Sequence, residues 1–183
     1  MQVLKEITVQ DQLYLHLNDV EWPFTYIDHV RQIARAVVID DEEYFYFARI
    51  RRDDEFGSAT LIETSGGGIE ENETPEEAVC RELNEELGAD VNILCSLGVV
   101  EDDYNLIHRH NVNHYFLCRV RSLGLPHLTQ QEAEAFHLSV LRLHYAEAEA
   151  EYRKCASSAL GRLIAQRELR ILQQAGRILW ITK

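Results

Sequence analysis

The chain has 183 residues, enough for one domain with a sizeable core, or one domain with an added arm. Its 46% hydrophobic and 27% charged residues are ordinary for a globular protein and exclude disorder across most of the length. The formal net charge of -13 excludes broad binding to a nucleic acid polymer, which relies on Lys and Arg, but not a small phosphorylated substrate whose bound divalent cation inverts the local field.

In chain order, residues 1–32 read as an N-terminal arm of short strands, in "VLKEITV" and "LYLHL", ahead of a domain over residues 33–183. "IARAVVID" at 33–40 and "EYFYFARI" at 43–50 are rich in β-branched and aromatic residues and read as strands joined by the turn "DDE". "RRDDEFGS" reads as a loop and "ATLIETS" as a short strand. A helix follows from Pro75 to Leu87: Thr74 can cap it, Pro75 suits its first position, Glu77 completes a capping box, and Gly88 suits its stop. "VNILCSLGVVED" and "HNVNHYFLCRV" read as further strands, "LPHLTQQEAEA" as an acidic loop and "FHLSVLRL" as a strand. Residues 145–175 have helical periodicity, with Leu160, Leu163, Ile164, Leu169 and Leu172 facing inward and Arg162, Arg167, Glu168 and Arg170 on the solvated side. The closing "ILWIT" is a last strand or a docking tail. This mix predicts an α/β (α+β) fold built as an α/β/α sandwich on a mixed sheet.

Cys80, Cys95, Cys118 and Cys155 form no CxxC pair and read as reduced thiols of a cytoplasmic protein. The opening residues lack the apolar run of a signal peptide, and no segment approaches the roughly 20 apolar residues that cross a bilayer, so no membrane partner is expected.

The predicted helix crowds Glu82, Glu85 and Glu86 at i, i+3 and i+4, which puts three like charges on one face. A Glu-rich solvated helix is the plain reading of that cluster alone. The surrounding spacing says more. Gly67, five residues, Glu73, seven residues, then Arg81, Glu82, Leu83, Glu85, Glu86 and Gly88 meet every fixed Gly, Glu and Arg of the Nudix box, and residues 67–89 resemble that family. One departure is the small Ala89 at the closing aliphatic position, which touches packing rather than chemistry.

The resemblance implies a Nudix-like hydrolase that needs Mg2+ or Mn2+. It implies Glu82, Glu85 and Glu86 as metal ligands, with Glu85 and Glu86 foremost and catalytic, and a backbone carbonyl of Gly66 or Gly67 to complete the shell. Arg81 and Glu73 resemble the family's structural ion pair, and the glycines of "SGGGIE", Gly67 among them, let backbone approach metal and phosphate. Ser65 stands where many relatives carry proline or alanine. The general base is expected to be a glutamate. The later loop offers Glu134, with Glu132 beside it, and "VVEDDYN" offers Glu101, Asp102 and Asp103 as rivals. Arg49, Arg51, Arg52 and Arg109 are candidates to touch substrate phosphate. His108, His110 and His114 invite a zinc reading, but no fourth ligand has suitable spacing, and they read as strand or turn histidines.

The implied substrate is a small nucleoside diphosphate linked to another moiety. Glu63 before the glycine loop and the N-terminal arm are similar to ADP-ribose pyrophosphatase relatives, where the arm helps form homodimers, and this favours ADP-ribose or a nucleotide sugar. The alternatives are a hydrolase of oxidised nucleoside triphosphates and a Nudix-fold sensor that binds a nucleotide without turning it over; the intact glutamates argue against the sensor.

Overall fold

A computed structural model of the chain describes residues 12–128 and 137–181. Its strands are β1 (Leu13–Leu17), β2 (His29–Ile39), β3 (Phe45–Asp54), β4 (Gly57–Glu63), β5 (Ser65–Gly68), β6 (Ala89–Tyr104), β7 (Arg109–Leu123) and β8 (Ser139–Leu143). Its helices are α1 (Pro75–Leu87), α2 (Tyr145–Cys155) and α3 (Ala159–Ile181). The 8-stranded sheet runs β1-β6-β7-β2-β3-β4, with β5 added to β2 and β8 to β3. β1 pairs with β6, and β2 with β7, in parallel; the other pairings are antiparallel, so the sheet is mixed.

Helices cover both faces. On one, α1 buries Ala78, Val79, Leu83 and Leu87 against Ala34, Ala36 and Val38 of β2 and Phe116 and Cys118 of β7. On the other, Tyr152 of α2 and Leu160, Ile164, Ile171 and Leu172 of α3 pack on Val37, Phe47, Leu61 and Leu117. Each large aliphatic side chain buried this way stabilises the fold by about 1.5–3 kcal/mol relative to exposure. The alternation of β2 explains the split: Ala34, Ala36 and Val38 point to α1, and Val37 and Ile39 to α3. "LYLHL" forms β1, whose Leu13, Leu15 and Leu17 pack on the α3-side core at the sheet edge.

α1 starts and stops where its caps predict. Glu77 N–H donates to Thr74 Oγ1, the Thr74 N–H donates in return to the Glu77 carboxylate, and Gly88 closes the helix in the left-handed region at φ 64°. Ala89 at 1% exposure packs in the α1 core, so its small size leaves the contact made.

Three expectations change. "RRDDEFGS" is a hairpin, not a loop: β3 continues to Asp54 and turns through Glu55 and Phe56 to Gly57, whose φ of 89° admits the tight turn. The helical stretch from residue 145 is two helices, broken between Cys155 and Ala159, and "ILWI" continues α3 rather than adding a strand. Arg167 and Glu168 are 1% and 0% exposed, not solvated, because they neutralise one another and partners from the sheet. No cysteine is paired, and no helix among the described residues is long and apolar enough to cross a membrane.

Candidate active site

β2 and β3 pair only at Val38 with Tyr46 and Ile39 with Phe45, and then part, because β5 takes β2 from Ile33 to Ala36 while β4 takes β3 from Ala48 onward. A cleft of about 470 Å³ opens where they part. Arg31, Ile33 and Arg35 of β2 form one wall, Ala48, Ile50 and Arg52 of β3 another, and Leu160, Ile164 and Arg167 of α3 lie across it. Gly66, Gly67 and Gly68 of β5 and Glu82 and Glu86 of α1 close its acidic edge.

The glycines bring that edge together. A Cβ on Gly67 would lie 2.4 Å from Glu82 Oε1, so the absent methyl group is the space the carboxylate fills. A Cβ on Gly66, at φ 144°, would lie 2.1 Å from the Ala34 carbonyl oxygen, so only glycine lets β5 join β2 there. Gly66 N–H in turn donates to Glu86 Oε2 at 3.0 Å. Ser65 is buried and pairs with Ala36, so the residue found where relatives carry proline or alanine fits within the strand.

Arg81 organises the loop. Its Nε and one Nη donate to the two oxygens of Glu73 at 2.9 and 3.0 Å, the same Nη donates to the Gly68 carbonyl at 3.0 Å, and the other Nη reaches Glu82 at 2.8 Å and Glu85 at 3.2 Å. The hydrogen bonds from Arg81 hold the Glu73 carboxyl below its ordinary pKa. Glu82 and Glu86 are 8% exposed and line the cleft, whereas Glu85 is more open and lies outside that lining. The donors gathered at this edge are all oxygens, and the cradle left by Gly67 holds one carboxylate in place, so the residues fit a hard divalent cation such as magnesium.

Two cationic systems face this edge. The first is buried and balanced. Arg167 donates to Asp102 at 2.6 Å, to Glu168 at 3.0 Å and to the Tyr104 hydroxyl at 3.2 Å. Arg35 pairs with Glu63 at 3.1 Å and donates to the Thr64 carbonyl at 3.0 Å. Tyr115 and Tyr152 hydroxyls and the Thr64 N–H donate to Glu168. Burial alone would raise the pKa of Glu168, but Arg167, Arg35 and these donors outweigh it and hold it below the ordinary value. The second system is open. Arg31 and Arg109, on adjacent strands and the same sheet face, make no ion pair among the described residues. Burial in the cleft and mutual repulsion lower the pKa of Arg109, and Arg109 Nε has no hydrogen-bond partner. Both therefore have donors available for an anion.

The structure thus gathers Glu82, Glu86, Gly66, Gly67 and Arg109 in one cleft, with Arg81 and Glu73 behind them. Arg49 and Arg51 alternate with the cleft-lining Ala48, Ile50 and Arg52 and so point away from it. Asp102 is locked to Arg167, Asn111 and Asn113, and Glu101 and Asp103 lie against His110, so none of these three lines the cleft. Glu132 and Glu134 lie outside the described residues. Of the sequence candidates Arg52 also lines the cleft; Arg31, Arg35, Glu55 and Phe56 line it without having been singled out in the sequence. The alternation of Arg31, Ile33 and Arg35 against Ala34, Ala36 and Val38 was the available signal for the first two.

Residues 30–158 match the model of the NUDIX domain. An 8-oxo-dGTP diphosphatase of Proteus vulgaris is 36% identical over 85 residues, 46% of this chain and 72% of that protein. Among solved structures, a NUDIX hydrolase from Nitrosomonas europaea superposes with a TM-score of 0.63 at 13% identity, covering 81% of this chain and 89% of that one. The E. coli ORF135 protein superposes with a TM-score of 0.57 at 18% identity, covering 83% and 92%. At such identities the structural likeness speaks for the fold alone, and the match over residues 30–158 speaks for descent. This chain belongs to the Nudix family and is a hydrolase of phosphoric anhydride bonds.

Proposed function

We propose that the chain cleaves the pyrophosphate link of a nucleoside diphosphate joined to another moiety, using magnesium or manganese at Glu82 and Glu86, with Glu85 at the margin of the site. The observation that carries this reading is the placement of two buried carboxylates and two unpaired guanidinium groups, Arg31 and Arg109, around one cleft. A divalent cation there neutralises phosphoryl oxygens and lowers the pKa of a water molecule. The protein's own groups do the rest. Arg31 and Arg109 bind the outer phosphate oxygens, the balanced Arg35–Glu63–Arg167 brace fixes the back wall, and Ile50, Phe56, Ile107 and Ile164 offer an apolar surface to the nucleoside.

Glu134 remains our proposed general base. Leu138, four residues after it, lines the cleft. Two substrate readings follow. Glu63 and the N-terminal arm favour ADP-ribose or a nucleotide sugar; Glu63 lines the cleft and is paired there with Arg35 and Arg167. The name of the Proteus vulgaris relative favours an oxidised nucleoside triphosphate, and we give that reading precedence. A homodimer built through the arm is part of the first reading.

A panel of 8-oxo-dGTP, dGTP, ADP-ribose and nucleotide sugars with magnesium or manganese tests the proposal. Release of a nucleoside monophosphate from 8-oxo-dGTP well above the others is the expected result. Tight nucleotide binding with no turnover of any member would make the chain a sensor instead.

A further inference from the structure

The sheet face opposite the cleft carries a second group of metal-ligating side chains. β1, β6 and β7 are neighbours, and their register sets His16 beside Glu101 and Asp103 beside His110. Strand alternation puts these four on one face, while Asp102, Arg109 and Asn111 take the other. His110 Nδ1 lies 2.7 Å from Asp103 Oδ1, and His16 Nε2 lies 3.4 Å from Asp103 Oδ2. One ligand atom each from His16, Asp103 and His110 falls within 4.8 Å of the other two.

We propose that His16, Asp103 and His110 form a binding site for a zinc-class divalent cation, separate from the catalytic glutamates. A tetrahedral zinc site with bonds of about 2.0–2.2 Å spaces its ligand atoms about 3.4 Å apart, so small rotations of the exposed His16 ring and the partly buried His110 ring suffice to close the set. Ligation through His110 Nδ1 leaves its Nε2 facing Glu101 Oε2 at 3.2 Å, the carboxylate contact that fixes a ligating imidazole's tautomer and orientation. The fourth position is open to water. No Lys or Arg side chain pairs with Glu101 or Asp103 among the described residues, so with neutral imidazoles the cluster carries two uncompensated negative charges.

Donor chemistry separates the two sites. Two imidazole nitrogens and a carboxylate select zinc or cobalt over magnesium, whereas the oxygen-only edge formed by Glu82 and Glu86 selects magnesium. The histidines named from the sequence do not supply this site together. His108 stacks on Tyr26 and meets Thr25 Oγ1, and His114 meets Gln32. The partner for His110 comes from β1, across the sheet. A cation here ties that edge strand to the β6–β7 pair, whose other face carries Arg109 and Asn111.

The test is a calorimetric titration of chelator-stripped full chain with zinc chloride, in excess magnesium so that the glutamates are occupied, with histidine ring resonances followed by NMR. The proposal expects one zinc per chain, shifts at the His16 and His110 rings, and affinity reduced more than about 100-fold in His16→Ala and in His110→Ala, beyond the 10–100-fold cost of losing an outer-shell partner. Glu86→Gln keeps the zinc. If His110→Ala fails to fold, His16→Ala decides, since its side chain is 55% exposed. Absence of zinc binding, or zinc affinity unchanged when His16 is removed, overturns the proposal.

Discussion

Replacing Gly67 by alanine places a methyl carbon 2.4 Å from Glu82 Oε1, about 1 Å inside ordinary contact at 3.4 Å. The atom in the way ends a flexible side chain, so the fold yields and the carboxylate swings aside. The stability lost is that of one partly exposed contact, Arg81 to Glu82 at 2.8 Å, at most about 1 kcal/mol. A displacement of about 1 Å in a positioning group costs on the order of 100-fold in rate, equivalent to about 2.7 kcal/mol. Gly66→Ala should behave in the opposite way. Its methyl group meets the Ala34 carbonyl oxygen at 2.1 Å and Arg35 Cα at 2.7 Å, both backbone, at a φ of 144°. Strain of about 1–3 kcal/mol plus overpacking of similar size should remove 3 kcal/mol or more of stability. Urea denaturation and magnesium-dependent kcat/KM on both variants separate the two. Full kcat/KM in Gly67→Ala, or equal destabilisation of both variants, would refute the reasoning.

Removing Arg167 with Arg167→Met leaves Asp102 and Glu168 buried without the guanidinium they bind, and Glu63 with Arg35 alone, and should cost about 3–5 kcal/mol by urea denaturation. Glu168 has a folded pKa below its ordinary 4.5, so its contribution is complete above that pH and is lost as pH falls through the lower folded value; Glu168→Gln should flatten the acid limb of a stability-against-pH curve. Arg31→Ala and Arg109→Ala should each raise KM about tenfold with a smaller effect on kcat, because each loses about 1.4 kcal/mol of phosphate binding. Glu134→Gln should lower kcat by about 100-fold or more and remove the acidic limb of the rate profile, while Glu55→Gln keeps that limb.

The acidic helix was legible because its signals are local. Thr74, Pro75, Glu77 and Gly88 act within a few residues of one another, and the fixed spacing from Gly67 to Gly88 names the ion pair and the cleft glutamates. What was not legible depends on partners far along the chain. Arg167 and Glu168 match a solvated stripe by helical period, yet Asp102, Glu63, Tyr115 and Tyr152 surround them. Arg49, Arg51 and Arg52 looked alike in sequence, because one residue of strand register reverses every side chain and "FYFARIRRDD" carries apolar residues in both phases; of the three only Arg52 lines the cleft. The hairpin at Asp54–Gly57 was missed because its charged strand ends resemble a loop. Glu85 and Glu86 looked equivalent in sequence, but the twist of α1 puts Glu82 and Glu86 one turn apart in the cleft and Glu85 at its margin.

The most direct test of the central claim is the hydrolysis rate of 8-oxo-dGTP against magnesium concentration for the wild type, Glu82→Gln and Glu86→Gln. A cation held by these two carboxylates requires that the wild type be inactive without metal, and that each variant need about tenfold more magnesium and lose about 100-fold in maximal rate. Superimposable curves for the three proteins would contradict it.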